Sequence, residues 1–488
     1  MTSTLTVNET GVELHPNPAR VIARLFVPGR EDVGPGDSRA ASVVKRILQL
    51  DEREIDTAMH DVYERFSHRH RDLDAILHRH AEMVRSRIDP LVDLSPARLL
   101  LLGASFTHEY AIEGAALCNP SAVLHPEQDS SSGDAAFILS VRGIGEGHRS
   151  SIGFRTGLVG ANGKVTVDPP GPFPKIEPAT AGLHSKAVFH AKLAELDDDR
   201  ENAAFVLDPL APQFTDAELD ARIEILAADI AMRRHTSNTI ANLRHLAASS
   251  YRVEFSTELD LSERVLWPST PAEAQGMEDA RFVRFIGESG EPTYYATYTA
   301  FNGTSVAQHL LETKDFAVFK VSPMAGAAAV GKGLALFPRK IHGTYAALSR
   351  SDRETNAIAF SNDIHCWPKS RPLQMPERTW EILQLGNCGS PIETDAGWLV
   401  LTHGVGPMRT YSLGAILLDL NDPKRVLARS EQPILSPGKD GRDGYVPNVI
   451  YSCGGFAHGD TLVLPYGIAD HTTSIATLSI AELLASLR

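Results

Sequence analysis

The chain has 488 residues, of which 43% are hydrophobic and 22% are charged. This length exceeds what one hydrophobic core usually serves, so two or more structural units are expected. The composition is that of a folded globular protein. The formal net charge of −14 argues against non-specific binding to nucleic acid or to an anionic membrane, because both need a basic surface.

The spacing of the cysteines and the sequence of the N-terminus indicate the cellular compartment of the protein. Cys118, Cys366, Cys388 and Cys453 are far apart and form no CxxC pair, which disfavours a zinc site or a disulfide framework. Buried thiols in a reducing compartment are the simpler expectation. The first residues lack the basic and apolar regions of a secretory signal, and no run is apolar for the roughly 18 residues that a membrane helix needs. We therefore expect a cytoplasmic protein.

Two segments have helical periodicity. The first runs from about Ser38 to Arg87, and Asp51 with Glu54 forms a plausible helix-start pair within it. The second runs from Thr215 to about Ala248, where Thr215 and Glu218 match a capping box. In both segments apolar residues recur at three- and four-residue steps, so each is predicted to be helical.

The rest of the sequence has the pattern of β structure. Short runs rich in β-branched and aromatic residues alternate with Gly, Pro, Asn and Asp. The clearest runs are 136–142, 281–285, 294–300, 316–321, 344–348, 398–402, 446–451 and 461–466. Many short strands with almost no helical pattern after Tyr251 indicate a propeller, a sandwich or a barrel. The sequence predicts an all-β catalytic unit with helical additions.

The segment from Gln275 to Arg284 is the most informative for chemistry. It holds the adjacent carboxylates Glu278 and Asp279, with Arg281 two residues later. Strand alternation would send Asp279 and Arg281 to one face and Glu278 to the other. A carboxylate beside an arginine is commonly a simple ion pair, whereas a glycosidase acid needs a cleft and a tuned pKa.

Other clusters are weaker signals when taken singly. The glycine-rich run at 143–147 follows no βαβ pattern, so a nucleotide site is not expected. The histidines at 68, 70, 78 and 80 lie on a charged helical segment and are interpreted as a solvated face. No metal site is therefore predicted.

Several motifs together resemble one family, the inverting β-mannoside phosphorylases and mannosidases of glycoside hydrolase family 130. The resemblance covers roughly Phe106 to the C-terminus and is interrupted by the helical segment at 215–248. Its motifs lie at 118–123, 278–281, 295–300, 336–341, 390–394, 397–398, 403–405, 413–420, 433–437 and 446–449. Their number and common order make the resemblance specific.

The resemblance implies a five-bladed β-propeller with the active site in its central cavity. We expect a mainly helical extension at 1–97 and a catalytic propeller at 98–488, with a helical insertion at about 215–248. The family's acid falls on Asp279, which is implied to protonate the leaving oxygen through a hydroxyl of the bound mannose. Inorganic phosphate would attack the opposite face and invert the anomeric carbon.

Besides the acid, phosphorolysis and hydrolysis need different catalytic or binding groups. An inverting hydrolase needs a carboxylate base about 6.5–9.5 Å from the acid, and Glu393 is the candidate. A phosphorylase instead needs cations that hold phosphate. The family's phosphate positions fall on Arg142, Lys332, Arg350 and His403, all cationic or able to form hydrogen bonds. Phosphorolysis is therefore favoured, with β-1,2-mannosidase activity as the alternative.

The remaining assignments follow from the same resemblance. The candidates for the sugar subsites are Asn119, Glu146, His148, Arg281, Tyr298 and Asp363. The chain departs from the family pattern at Ala280, Gly333, Ser349 and Thr402, which bears on the phosphate pocket. The expected partners are an oligosaccharide and phosphate, with no other cofactor. The helical segments at 38–95 and 215–248 are expected to cover part of the propeller or to mediate self-association, with a lid over the active site as the alternative. A non-catalytic sugar-binding propeller is the alternative from another class.

Overall fold

The structure is a computed structural model that describes residues 5–28, 39–85, 88–89, 92–129, 133–228, 235–439 and 441–488. The chain forms two compact units. Unit 1 comprises Met1–Pro16, Ala115–Pro170 and Ile176–Arg488, and unit 2 comprises Asn17–Gly114 and Gly171–Lys175. The predicted boundary between residues 97 and 98 stays a prediction.

The described residues form both helices and strands. The helices are α1 Arg39–Gln49, α2 Glu52–Phe66, α3 Leu73–Val84, α4 Pro96–Ser105, α5 Lys186–Glu195, α6 Arg200–Leu207, α7 Asp216–Ala228, α8 Thr236–Ala247 and α9 Ile480–Ser486. The first strands are β1 Asn8–Leu14, β2 Val21–Leu25, β3 Thr107–Ala111, β4 Ala116–Leu124, β5 Ala135–Ile144, β6 Ser150–Val159, β7 Val165–Val167, β8 Thr180–Ala181, β9 His184–Ser185, β10 Gln213–Phe214 and β11 Tyr251–Glu254.

The later strands follow in chain order and make up most of the second half of the chain. They are β12 Gly276–Ile286, β13 Pro292–Phe301, β14 Val306–Thr313, β15 Val318–Pro323, β16 Ala335–Leu336, β17 Tyr345–Ser349, β18 Asn356–Ser361, β19 Ser370–Gln374, β20 Gln384–Asn387, β21 Ile392–Thr394, β22 Gly397–Gly406, β23 Thr410–Leu418, β24 Val426–Arg429, β25 Ile450–Tyr451, β26 Phe456–His458, β27 Thr461–Ile468 and β28 Thr472–Ser479. The strand-rich second half agrees with the sequence pattern.

The strands of unit 1 group into antiparallel sheets. A ten-stranded sheet runs β4-β5-β6-β12-β13-β14-β15-β11-β8, with β7 paired to β6. Its β6 and β12 are joined only by a parallel pair of Ser150 with Gly276, which divides it into two antiparallel groups. The other large sheets are β16-β17-β18-β19, then β20-β22-β23-β24 with β21, and β1-β28-β27-β25 with β26. Because β1 pairs with β28, the N-terminal strand closes a sheet made by the C-terminal strands.

The predicted helical segments are helical, and their start signals form as expected. The Asp51 carboxylate accepts from the backbone N–H of Glu54, and the backbone N–H of Asp51 donates to the Glu54 carboxylate, which completes a capping box at α2. Thr215 and Glu218 form the equivalent pair at α7. The predicted ends Ser38 and Arg87, and residues 229–234, lie outside the described residues.

The sequence pattern missed α4, α5 and α6. The α5 and α6 helices are short, with 10 and 8 residues, so neither carries a long apolar stripe. Their buried side chains, among them Phe189, Leu193 and Val206, pack with Leu219 and Leu243 of α7 and α8 into one small core. Tertiary packing, rather than local periodicity, therefore stabilises them.

Gly276 at the start of β12 is a point of close backbone approach. Its φ is +149°, and a Cβ there would lie 2.2 Å from Ser150 Oγ and 2.8 Å from Ser150 N. We predict that Gly276→Ala lowers the free energy of unfolding by about 1–3 kcal/mol, the usual cost of overpacking. Gly287→Ala, just beyond the other end of β12, is the control because its Cβ would meet only Phe285 at 4.0 Å. Chemical denaturation of both variants tests this, and equal midpoints would contradict it.

Candidate active site

A cavity of about 670 Å³ opens among the sheets of unit 1. Its charged lining residues are Arg142, Asp279, Arg281, Lys332, Arg350, Arg353, Arg409 and Asp470. Asn119, His403, Tyr411 and Tyr451 also line it. The structure therefore brings together seven residues that the sequence analysis selected, from strands and loops that are far apart in the chain.

Asp279 occupies a β-bulge in β12. The register with β13 pairs Glu278 with Thr299 and Arg281 with Thr297, so Asp279 and Ala280 lie opposite a single residue. Asp279 has a φ of +55°, a left-handed conformation that is rare for a non-glycine residue. The expected alternation is wrong here, because the bulge lets both adjacent carboxylates face the same arginine.

Asn119 occupies a second bulge, in β4. The register shift lies between Cys118 and Ser121, and Asn119 has a φ of +48°. Its Nδ2 donates a hydrogen bond of 2.5 Å to Oδ1 of Asp279. Two backbone irregularities thus aim an amide and a carboxylate at each other.

The carboxylates are bound to a row of cations. Arg142 donates to Glu278 Oε1 at 2.6 Å and to Asp279 Oδ1 at 3.4 Å. Lys332 Nζ donates to the second oxygen of Glu278 at 2.5 Å. Glu278 is not itself a lining residue of the cavity, but it binds Arg142 and Lys332, which both line it.

Arg281 is fixed by hydrogen bonds on every side of its guanidinium. It donates to the carbonyl oxygens of Cys388 and Asp279, each at 2.8 Å, and to the hydroxyl of Tyr451 at 2.9 Å. Its side chain is 1% exposed. Arg281 consequently anchors the bulge backbone and adds a fixed positive charge 4.0 Å from Oδ2 of Asp279.

The surrounding cations set the charge state of Asp279. Burial disfavours the ionised carboxylate, but Arg142, Arg281, Lys332 and the amide of Asn119 outweigh it and lower the pKa of Asp279. Because the ordinary pKa of aspartate is about 3.9, Asp279 is a carboxylate at neutral pH in the empty cavity.

The side chain of Arg350 lies against Gly333 and Gly386 and lines the cavity. A Cβ on Gly386 would lie 2.1 Å from Cδ and Nε of Arg350, and a Cβ on Gly333 would lie 3.1 Å from Cδ. The departure from the family pattern at Gly333 thus leaves room for this arginine, and its φ of +95° suits glycine.

His403 is neutral rather than cationic. Burial, together with Arg350 and Arg281, lowers its pKa well below the ordinary value. The imidazole is packed between Tyr411 and Tyr451, at ring distances of 6.1 and 4.9 Å. The imidazole interacts with the backbone of Asn387 and lines the cavity, where a neutral ring can donate one N–H to a ligand.

A family model described as beta-1,4-mannooligosaccharide phosphorylase matches residues 222–488, which is more than half of the chain. The chain belongs to glycoside hydrolase family 130. Membership makes it an enzyme that acts on mannosides, in a family that contains phosphorylases and hydrolases.

Named relatives agree with this family. The 1,2-beta-oligomannan phosphorylase of Thermoanaerobacter sp. (strain X514) is 34% identical over 235 residues, which are 46% of this chain and 75% of the relative. The beta-1,2-mannobiose phosphorylase of Listeria innocua is 35% identical over 229 residues, 46% of this chain and 63% of the relative. A solved structure of a Listeria innocua beta-1,2-mannobiose phosphorylase with beta-1,2-mannobiose is 25% identical, covers 78% of this chain and 93% of that chain, and has a TM-score of 0.45.

Tyr298, selected as a sugar contact for this family 130 enzyme, does not line the cavity. It is fully buried in the largest core cluster, opposite the bulge. Its hydroxyl donates to the carboxylate of Glu273, which also accepts from Tyr251 at 2.9 Å. Tyr298 is therefore a core residue of β13, and its register position lies opposite the bulge in β12.

Glu393, the candidate hydrolytic base, is also outside the cavity lining. Its two oxygens accept from Arg339 at 2.8 and 2.6 Å, and both side chains are about 40% exposed. Arg339 also stacks over Trp398. Glu393 is thus one half of a surface ion pair.

The other sugar candidates lie away from the described lining of the cavity. Glu146 and His148 are exposed on a hairpin turn, and His148 is hydrogen-bonded to the hydroxyl of Tyr445. Asp363 accepts from the backbone and ring of His365. None of the three is among the described lining residues of the cavity.

Asp470 is a lining residue that the sequence analysis missed. It lies on the turn between β27 and β28, with a φ of +48°. Burial raises its pKa to about 6, and Asp279 adds to this effect, while Arg142 and Arg409 oppose it. An isolated Ala-Asp-His sequence carries no local signal of such a position, since only the fold brings this turn to the cavity.

Removing the charge of Asp470 should give a pH-dependent gain in stability. A raised carboxyl pKa stabilises the fold fully below the unfolded pKa of about 4, and this contribution is lost as the pH rises through about 6. We predict that Asp470→Asn and the wild type differ little at pH 4. The variant gains up to about 3 kcal/mol relative to the wild type by pH 8.

Denaturant unfolding at a series of pH values measures this difference. Asp422→Asn, at an exposed position, controls for the loss of a surface carboxylate. A stability difference that is constant from pH 4 to pH 8 would exclude Asp470 as the titrating group.

Proposed function

We propose that this enzyme is an inverting phosphorylase that removes the non-reducing β-mannosyl residue of a short manno-oligosaccharide and releases α-mannose 1-phosphate. The cationic lining of the cavity carries this proposal. In a protein whose net charge is −14, the described lining includes six arginine or lysine side chains and two carboxylates. Such a concentration of positive charge suits an anionic co-substrate.

The arrangement of these cations fits phosphate better than it fits water. Arg142 and Lys332 are held by Glu278 on one side, and Arg350 and the neutral His403 line the cavity with them. Arginines can bind phosphate through paired hydrogen bonds, and His403 supplies a neutral N–H. We therefore assign phosphate to Arg142, Lys332, Arg350 and His403.

Binding of phosphate would also prepare Asp279 to act as the acid. The lowered pKa of Asp279 comes from Arg142, Arg281 and Lys332, acting against burial. A phosphate dianion among the same cations offsets their charge, so the buried carboxyl then holds a proton more readily. We assign Asp279 to protonation of the leaving oxygen through a mannose hydroxyl, as phosphate attacks the opposite face.

Hydrolysis remains a second candidate because of Asp470. A hydrolase needs a base, and Glu393 is committed to Arg339 at the surface. Asp470 is the carboxylate besides Asp279 among the described lining residues, and its pKa of about 6 suits a base at neutral pH. The excess of cations favours phosphorolysis over this alternative.

We further propose that unit 1 is a five-bladed β-propeller. Dividing the ten-stranded sheet at its parallel pair leaves five antiparallel groups of at least four strands, one for each blade. The helices α1–α4 belong to the proposed extension at 1–97, and α7–α8 to the proposed insertion. The extension departs from these bounds at both ends, because α4 continues to Ser105 and β1 pairs with β28 of unit 1. A cytoplasmic location, self-association through helices and independence of other cofactors are parts of the same proposal. None of the helices among the described residues is long and apolar enough to cross a membrane.

The decisive experiment measures the dependence of product on phosphate. We expect β-1,2-mannobiose with inorganic phosphate to give α-mannose 1-phosphate and mannose, with almost no turnover when phosphate is omitted. Ion chromatography and NMR of the anomeric proton identify the product and its configuration. Release of free mannose from both halves of the disaccharide at a rate indifferent to phosphate would show hydrolysis instead, and Asp470→Asn would then be the next variant.

Asp279→Asn should abolish turnover without unfolding the protein. Loss of a general acid lowers kcat by about 10²–10⁴-fold, and asparagine keeps the left-handed backbone accessible. Glu393→Gln is the matched control, because its carboxylate binds Arg339 at the surface and its kcat should stay near the wild-type value. Near-normal kcat in Asp279→Asn, or a large loss in Glu393→Gln, would contradict these assignments.

Arg350→Gln should weaken phosphate binding selectively. A hydrogen bond to a charged group contributes about 1.5–3 kcal/mol, so KM for phosphate should rise about 10- to 100-fold. The KM for the disaccharide should change much less. Initial rates over a grid of both substrates separate the two constants, and an unchanged KM for phosphate would remove Arg350 from the anion site.

A further inference from the structure

The hairpin turn between β22 and β23 has an unfavourable backbone conformation. Gly406 pairs with Thr410, and the turn Pro407–Arg409 joins the strands. Met408 and Arg409 have φ values of +58° and +56°. Consecutive left-handed residues are normally Asn-Gly or similar pairs, and the left-handed region is unfavourable for each bulky residue.

A comparable turn elsewhere has ordinary turn chemistry. His342 and Gly343, between β16 and β17, have φ values of +48° and +80°. One of these residues is glycine, and neither lines the cavity. The turn at 342–343 thus has glycine at one of its left-handed positions, whereas the turn at 408–409 has none.

Of these two side chains, Arg409 lines the cavity, and Met408 is its neighbour in the chain. Asp279 is 8% exposed, which places the reacting bond deep inside. Arg409 lines the cavity and is exposed, while Met408 beside it is 88% exposed, the highest value among the described exposed large hydrophobic side chains. Because Arg409 both lines the cavity and is exposed, a substrate that extends from Asp279 toward solvent can meet this turn.

Ring contacts connect the turn at 407–409 to His403 in the cavity lining. The guanidinium of Arg409 lies over the ring of Tyr411 at 5.7 Å, and Tyr411 stacks on His403. Arg409 also acts electrostatically on Asp470, whose pKa it lowers against the larger effect of burial. Arg409 is consequently held near the cavity rather than free in solvent.

We propose that Met408 and Arg409 form the subsite for the leaving-group sugar and select which sugar is accepted there. This proposal rests on the proposed exo-acting mannoside cleavage. The Met408 thioether offers an apolar contact to the C–H face of a pyranose ring, and the Arg409 guanidinium offers N–H donors to its hydroxyls. Both are specificity residues that touch the leaving sugar and take no part in proton transfer.

Glycine substitutions test this without a risk to folding. Met408→Gly and Arg409→Gly remove the side chains, and glycine prefers the left-handed conformation that both positions have. The thermal midpoint should therefore be unchanged or raised. Met375→Ala and Arg425→Ala are matched controls, since Met375 is also exposed at 59% and Arg425 forms only a surface pair with Asp419.

The first measurement is binding to Asp279→Asn protein, which works for a phosphorylase and for a hydrolase. Calorimetry with mannose and with β-1,2-mannobiose gives the extra affinity that the second sugar contributes. We expect Met408→Gly with Arg409→Gly to raise the dissociation constant of the disaccharide about tenfold or more, the loss expected for a charge-assisted hydrogen bond with an apolar contact. The dissociation constant of mannose should not change.

The second measurement is synthesis from mannose 1-phosphate with a panel of acceptor monosaccharides. In the double variant, kcat/KM for the acceptor should fall and the preference among acceptors should flatten, while KM for mannose 1-phosphate stays constant. If the wild type makes no product from mannose 1-phosphate, the phosphorylase proposal fails and the binding measurement alone decides the subsite. Wild-type affinity for the disaccharide in the double variant would overturn the inference.

Discussion

The candidate active site depends on a carboxylate placed on a β-bulge against a row of fixed cations. Asp279 has left-handed backbone geometry, which turns its side chain toward Asn119 and Arg142. Such a position is stable only when its surroundings determine it fully. Arg281 fixes this backbone, because its guanidinium donates to the carbonyl oxygen of Asp279 and also to the carbonyl oxygen of Cys388 and the hydroxyl of Tyr451.

The charge balance of the cavity follows from this arrangement. Glu278 neutralises part of the charge of Arg142 and Lys332 and keeps both side chains in place. The cavity lining therefore keeps its arrangement and a net positive charge. An anion that enters meets charges already oriented, and little reorganisation is then needed. Because the same cations lower the pKa of Asp279 against burial, anion binding in the cavity and protonation of Asp279 are physically coupled.

The residues around this centre come from turns as well as strands. Asp470 and Arg409 reach the cavity from hairpin turns whose backbones are left-handed at consecutive non-glycine residues, 469–470 and 408–409. Short turns at strand ends can vary without disturbing the sheets, whereas Asn119, Arg142 and Asp279 lie within β4, β5 and β12. The strands thus supply Asn119, Arg142 and Asp279 to the cavity lining, and the turns add Asp470 and Arg409.

The sequence alone determined the strand-rich architecture, the helix starts at Asp51 and Thr215, and the family through ordered motifs, because periodicity, capping and motif order are local properties. It also selected Asp279, Arg281 and the residues assigned to phosphate, which line one cavity. The tertiary structure decided that Tyr298 is a core residue, that Glu393 pairs with Arg339, and that Asp470 and Arg409 line the cavity. A single bulge reverses strand alternation, and turns distant in sequence meet only after folding, so no local pattern could have placed these side chains.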